Sequence, residues 1–358
     1  MPMQRARFLA IPALIFFLFA VLLGNSELAM NGVRRGLSLC TETLFPALFP
    51  FLVLAEIFVG CGAGDVLGRF LGKPIAVLLG LSRAGACAVL LGALCGQPVA
   101  TTSALSLFER GEIEKKELER ICLFANNPSS AFLTAAVGVA LFGNKGAGAA
   151  LFIITLLSSF LVGVGLRVFG GKVVFFEKKP PNGSRKALSP TDVTAGIKRA
   201  FSTLLQVCAF LLFFCALSDC LCVPLGNAPF WRVIVCGILE ITGGISAAAT
   251  ILPPALAFRL TAFFASFAGL SVCLQILSIT EGTGVRISHY LAAKLTQGGI
   301  ALLLCEAYLY FFRPTLSPTQ SVPTLALSPH APAFVIFLLL FISVLVFQRM
   351  QAKNYKSK

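Results

Sequence analysis

Residues 230–252 read FWRVIVCGILEITGGISAAATIL. The run is apolar at both ends, yet its middle holds one carboxylate, Glu240, followed by Thr242, the pair Gly243-Gly244 and Ser246. About 20 consecutive apolar residues cross the hydrocarbon core of a bilayer as one helix. A carboxylate at that depth costs several kcal/mol unless it is paired, protonated or solvated in a cavity. The segment therefore predicts an interrupted element, broken at the glycines, that enters the membrane and returns to its starting side. Two readings of Glu240 follow. It lines a solute site, or it caps the broken hairpin by accepting from backbone N–H groups that the break frees.

The rest of the chain agrees with a membrane setting. Of 358 residues, 57% are hydrophobic and 12% charged, with a mean hydropathy of +0.88. Soluble domains carry about 25% charged residues, so the missing polar surface must face lipid. Apolar runs at 8–24, 146–169, 201–223, 299–312 with its flanks, and 333–347 are span candidates. Arg5 and Arg7 ahead of the first run imitate a signal peptide. That run is as long as a full span and no A-x-A-like site follows it, so it reads as a retained transmembrane helix. The formal charge of +14 is the excess of Lys and Arg that membrane proteins keep in cytoplasmic loops, with no nucleic-acid partner implied. The twelve Cys are scattered through apolar runs without a C-x-x-C pair. They read as small buried hydrophobes, not as a disulfide framework or a metal site.

Charge also sets the topology. Three segments are polar and basic: the N-terminus, the loop 170–192 and the tail 348–358. If all three are cytoplasmic, an even number of crossings separates each from the next. Residues 8–24 go out and 43–60 return. Residues 75–105, broken at Gly96-Gln97-Pro98, form a re-entrant hairpin. An interrupted span at 121–142, with Asn126-Asn127-Pro128 in its middle, and a span at 146–169 complete the first half. The second half repeats the rhythm with 198–222, the hairpin 230–252, then 255–279, 298–312 and 331–348. The fold class is thus an all-α polytopic membrane protein of about eight transmembrane helices plus two re-entrant hairpins, with the lipid bilayer as partner and both termini cytoplasmic. Segments 61–74 and 280–297 are amphipathic and suit the interface plane.

The halves resemble each other. Gly32-Val33-Arg34-Arg35-Gly36-Leu37-Ser38 is matched by Gly196-Ile197-Lys198-Arg199-Ala200-Phe201-Ser202. Gly92-Ala93-Leu94 parallels Gly237-Ile238-Leu239, and Phe124-Ala125-Asn126 parallels Phe264-Ala265-Ser266. Because 43–60 runs inward and its counterpart outward, the repeats are inverted, an arrangement in which secondary transporters bind substrate at the midplane between discontinuous helices. Domain boundaries follow: an N-terminal helix (1–24), repeat 1 (25–169), a basic loop (170–192), repeat 2 (193–313), an external Pro/Ser/Thr-rich loop (314–332), and a final helix with its basic tail (333–358).

Four polar clusters coincide with the breaks, and non-helical backbone at that depth is tolerated only where it is buried in protein or lines a cavity. They supply the candidate substrate-binding residues: Gln97 and Thr101; Asn126, Asn127, Ser129 and Ser130; Glu240, Thr242 and Ser246; Ser266, Ser271 and Gln275. The plainer alternatives stand beside them. The asparagines satisfy backbone groups released by Pro128, and the Ser and Thr residues pack helices. Glu56 snorkels from a helix end to the interface. His289 is an interfacial polar residue, and the charged run 109–120 is a solvated helix at the membrane surface. The chain has no G-x-S-x-G, no H-E-x-x-H, no Walker A motif and only two His, so an enzyme is disfavoured and no catalytic residue or cofactor is expected. A coupling ion and a homo-oligomer are both allowed.

The run Leu44-Phe45-Pro46-Ala47-Leu48-Phe49-Pro50-Phe51 resembles the "LFPxLFPF" signature of the YlbJ-type sporulation integral membrane proteins, stage V sporulation proteins with a nucleoside-recognition, or Gate, domain. Ordered matches follow: Gly111-Glu112-Ile113 with Glu119-Arg120, Asn126-Asn127 with Phe132, Val137-Gly138, Gly237-Ile238-Leu239-Glu240 with Thr242 and Gly244, and Ser266-Phe267-Ala268-Gly269-Leu270-Ser271 with Gln275. Together they cover roughly residues 25–312. Gly96-Gln97-Pro98-Val99-Ala100 departs from the family's Gly-Tyr-Pro with Gly-Ala, and Ala268 stands where a second Gly is common. The resemblance implies a core like that of concentrative nucleoside transporters, in the cell membrane or outer forespore membrane. It also implies movement of dipicolinate, a small planar dianion, from mother cell towards forespore. Half-helix N-termini at the breaks suit its carboxylates. A carrier of nucleosides or another metabolite, or a non-transporting membrane scaffold, are the alternatives. A carrier requires Gln97, Asn126, Glu240 and Gln275 to converge on one cavity. A scaffold disperses them.

Overall fold

A computed structural model describes residues 2–61, 72–169, 190–225 and 228–316. The calls on 62–71, 170–189 and everything after 316 lie outside the described residues. These include most of the basic loop, the external loop and the last span. The described chain forms α1 (Pro2–Gly24), α2 (Ser26–Ser38), a π-helical turn (Leu39–Leu44), α3 (Phe45–Gly60), α4 (Lys73–Leu79), α5 (Arg83–Cys95), α6 (Val99–Glu109) and α7 (Lys115–Phe124). A second π-helical stretch (Phe132–Val139) precedes α8 (Lys145–Phe169) and α9 (Pro190–Cys222). Then come α10 (Pro229–Leu239), α11 (Ile241–Ile251), α12 (Pro254–Phe267), α13 (Gly269–Ile279) and α14 (Ile287–Phe312). Among the described residues four helical segments are long and apolar enough to cross a membrane, and six if each sharply bent pair is one span. Their outer faces carry stripes of exposed apolar side chains, such as Ile153, Leu157 and Leu161 on α8. Residues four apart share a helix face, and a stripe of this kind is stable against lipid, not water.

Both expected hairpins are present. Gly92 and Ala100 are eight positions apart, which in a continuous helix means about 12 Å. Yet a Cβ on Gly92 would sit 2.3 Å from that of Ala100, so α5 and α6 fold back side by side. The second is tighter, since a Cβ on Gly244 would lie only 2.1 Å from the Gly237 Cα. One expectation needs correction. The helix stops at Glu240, whose backbone is extended (φ −149°, ψ 130°), and the Gly243-Gly244 pair lies inside α11. Of the two, Gly244 is there for close packing of the arms. The other two breaks are unwound. Residues 125–129 carry no helix, and α12 passes into α13 through Ala268 and Gly269, both at positive φ.

Residues 26–60 hold helical backbone without interruption, so the span expected at 43–60 continues a helix that starts at Ser26. The π-helical turn ends two residues before Pro46, which has no N–H to give an α-helical ladder. At the other end, α1 meets α2 at a 93° bend. The α2–α3 rod lies antiparallel to α9. Gly32 abuts Ala216 at one end and Gly196 abuts Ile57 at the other, so numbering falls along one helix as it rises along the other. The small residues Gly32 and Gly36, four apart, let the backbones approach. Two ion pairs close the seam: Arg35 with Asp219 at 2.6 Å, and Arg199 with Glu56 at 2.9 Å. Glu56 does not snorkel. It is 5% exposed and also accepts from the Ser106 hydroxyl at 3.2 Å.

The seam makes a prediction. A Cβ on Gly32 would lie 2.6 Å from the Ala216 Cα, whereas one on Gly36 meets only the flexible Leu212 side chain first, at 3.1 Å. Gly32→Ala is expected to cost about 2 kcal/mol through overpacking and Gly36→Ala under ~1 kcal/mol, read as thermal midpoints in detergent. Equal costs would count against the backbone contact.

The charged run 109–120 is also more deeply placed than a solvated surface helix. Glu117 and Arg120 are buried. Glu117 Oε1 accepts from Ser82 N at 2.6 Å, and the Ser82 hydroxyl accepts from Gly85 N. Together they pin the N-terminus of α5.

Candidate functional site

A cavity of about 370 Å³ opens where the two hairpin tips and the two unwound breaks meet the π-helical turns. Gln97 reaches it from the first hairpin, Ser129 from the break after α7, Glu240 and Thr242 from the second hairpin, and Ser271 and Gln275 from α13. Leu44 and Leu48 of the proline-rich motif and Phe132 of the second π-helical stretch supply apolar wall. The volume falls within the range of small-molecule sites, about 300–1,000 Å³. Among the described residues the wall carries no Lys, Arg or His.

The polar groups differ in readiness. Glu240 is committed to its own helix: Oε1 accepts from Thr242 N at 2.9 Å, and Oε2 from Gly243 N at 2.7 Å and from the Thr242 hydroxyl. The carboxylate therefore caps α11, satisfying donors that the break orphans, while its edge faces the cavity. Of the two readings of Glu240 this is the cap, and it occupies the N-terminus of α11. The N-termini of α6 and α13, which begin after Pro98 and Ala268, have no side-chain cap. Gln97 Oε1 is buried without a partner, and Gln275 Nε2 donates only loosely to the Ser271 hydroxyl at 3.3 Å. An unpaired buried acceptor costs about 1–3 kcal/mol. A ligand donor at Gln97 relieves that cost.

The other candidates lie off the wall. Thr101 donates to Asn126 Oδ1 at 2.8 Å, and Asn126 Nδ2 to the Cys122 carbonyl. Asn127 Nδ2 donates to the Ser159 hydroxyl at 2.9 Å. The Ser130 carbonyl accepts from Thr134, Ser246 is exposed with its carbonyl accepting from Thr250, and Ser266 sits 3.5 Å from the Ser158 hydroxyl. Of the four residues chosen to discriminate carrier from scaffold, Gln97, Glu240 and Gln275 share the cavity and Asn126 supports it from behind.

The elements that form this cavity carry the motifs quoted above, and one comparison extends across nearly all of them. The chain is 25% identical over 336 residues to the sporulation integral membrane protein YlbJ of Bacillus subtilis (strain 168), covering 83% of this chain and 82% of that one. The likeness to that sporulation membrane protein thus runs through most of both chains. No protein-family model matches it, and no solved structure does.

One part of the chain escaped sequence reasoning. Residues 287–297 are not a separate amphipathic segment. They are the opening turns of α14, and Tyr290, Lys294 and Gln297 are fully buried. Their spacing of four and three places them on one helix face. Lys294 Nζ donates to the Asn126 carbonyl at 2.8 Å and Gln297 Oε1 at 2.7 Å, and more distantly to Asn127 Oδ1 at 3.5 Å. Gln297 Nε2 in turn donates to Asn127 Oδ1 at 2.7 Å, and the Asn127 carbonyl accepts from Gln97 N at 2.8 Å. A continuous hydrogen-bonded chain thus connects Lys294 to the cavity wall. The available signal was the shared face of Tyr290, Lys294 and Gln297. A lysine near a helix end is equally at home snorkelling. By contrast His289 is exposed beside Glu119, 3.3 Å away, in keeping with an interfacial role.

Proposed function

We propose that this protein is a carrier that moves a small organic anion, dipicolinate foremost, from mother cell towards forespore, with the solute bound in the cavity between the broken helices. The observation that carries the reading is convergence. Four interruptions separated by long stretches of sequence meet at one space, and interrupted backbone at membrane depth is tolerated only in protein or along a cavity. Gln97, Ser129, Thr242, Ser271 and Gln275 are the proposed solute contacts, with the uncapped N-termini of α6 and α13 meeting carboxylates. The eight-span arrangement in two inverted repeats, with both termini cytoplasmic, belongs to the same proposal. Its support is the reciprocal pairing on the seam. Arg35 and Arg199 are counterparts in the repeated motif, and each pairs with an acid, Asp219 or Glu56, near the far end of the other rod.

The absence of a basic side chain on the described wall favours one alternative, an uncharged solute such as a nucleoside. Uptake of labelled dipicolinate and of nucleosides into proteoliposomes separates the two. Flux of dipicolinate above protein-free vesicles is expected. Glu240→Gln, which weakens the cap of α11, should lower it about five-fold, the rate equivalent of ~1 kcal/mol of lost capping. Flux no greater than that of empty vesicles for every solute would sink the carrier reading.

A further inference from the structure

We propose that the ammonium of Lys294 is a built-in cation, occupying an all-oxygen site for a monovalent cation at the end of α7. An ammonium has three donors and no acceptor. Here it faces the Asn126 carbonyl, Gln297 Oε1 and Asn127 Oδ1, all oxygens of neutral amides. Among the described residues no carboxylate lies within salt-bridge distance of it. A charge taken out of water without a counter-charge is costly, so its environment must supply negative potential by dipoles. The break does this. Helix α7 ends at Phe124, and its terminal carbonyls gather the negative end of the helix dipole. The carbonyls of Cys122 and Phe124 are taken up by Asn126, Asn127 and Ser159, which leaves the Asn126 carbonyl to the cation. Gln297, whose Oε1 faces the ammonium, is itself oriented by its Nε2, which donates to Asn127 Oδ1 and more distantly to the Thr155 carbonyl.

A ring of carbonyl and amide oxygens is what ion channels and carriers present to potassium or sodium. Oxygens 2.7 and 2.8 Å from an ammonium nitrogen suit potassium better than the smaller sodium ion. The protein therefore needs no free metal cation to hold the break that frames its cavity. Removing the ammonium while leaving its space creates a potassium site.

The test is thermal unfolding of the purified full chain in detergent, followed with a thiol-reactive dye that reports exposure of the buried cysteines. Wild type, Lys294→Ala and Lys294→Met are compared in potassium, methylammonium and choline chlorides at constant ionic strength. Wild type should unfold at the same temperature in all three. Lys294→Ala should unfold earlier in choline and regain its midpoint saturably in potassium or methylammonium. Its half-effect concentration should lie at least ten-fold below any response of Lys294→Met, whose side chain fills the space. A potassium-indifferent Lys294→Ala overturns the proposal. So does a saturable potassium response in wild type, or a Lys294→Ala protein that stays unfolded in potassium. These readouts need no transported solute, so a failed carrier reading leaves them intact. A corollary resting on that reading is that wild-type flux is unchanged when sodium and potassium are replaced by choline.

Discussion

Gly244→Val is expected to abolish recovery of folded protein, whereas Gly243→Ala one position earlier is expected to be tolerated. The two glycines are adjacent in sequence and opposite in circumstance. A Cβ on Gly244 would lie 2.1 Å from the Gly237 Cα and 2.6 Å from its nitrogen, and neither backbone atom has a rotamer to move into. The hairpin arms must separate, and Gly237 has little room to retreat, since a Cβ there would meet the Phe264 ring at 2.3 Å. Overpacking of this kind against backbone exceeds the usual 1–3 kcal/mol, so a loss above ~3 kcal/mol is expected. A Cβ on Gly243 first meets Glu240 Oε2 at 3.4 Å, an ordinary contact. The measurement is the monodisperse fraction after detergent extraction, followed by the unfolding midpoint. If both variants survive equally, the hairpin is not closed as described.

The second large effect concerns the seam between the α2–α3 rod and α9. Arg199→Ala should cost about 3 kcal/mol, because it strips the charged partner from a carboxylate that is only 5% exposed. Glu56→Gln in the same background should restore most of that loss, since a neutral amide needs no counter-charge and keeps the Ser106 hydroxyl as a hydrogen-bond partner. The acid of the reciprocal pair is wetter, Asp219 being 22% exposed against 5% for Glu56, so Arg35→Ala should cost about 1 kcal/mol. Unfolding midpoints of the three variants against the parent protein decide it. Equal losses at both arginines, or no recovery with Glu56→Gln, would mean that burial of Glu56 is not what sets the energetics.

The candidate site was partly legible for a reason specific to membranes. In a soluble protein Gln97, Glu240, Ser271 and Gln275 would be unremarked surface residues. Embedded in apolar runs, each is an exception that demands a cavity or a partner. That logic finds polar residues without telling which requirement each meets. Asn126 and Asn127 turn out to serve partners, tied to Cys122, Thr101 and Ser159. Gln97 and Gln275 serve the cavity. Glu240 does both, capping α11 and facing the space. Lys294 was lost because its segment carries enough polarity to suit the interface, and only burial against the α7 break distinguishes the two placements.

Membrane residence, the four interruptions and the polar residues beside them were fixed by local sequence, because lipid tests each stretch of about 20 residues by itself. Proline and its polar neighbours at Gln97-Pro98 and Asn127-Pro128 likewise mark places where a helix can break. Pairing was decided by tertiary structure alone. Lys294 and the Asn126 carbonyl it holds are 168 positions apart, and Arg35 and Asp219 are 184 apart. The closure of Gly244 on Gly237 depends on a fold-back whose break falls at Glu240, not at the glycines themselves. No local pattern encodes such contacts. A buried charge or a bare glycine signals that a partner exists, and only packing the helices together shows which atom it is.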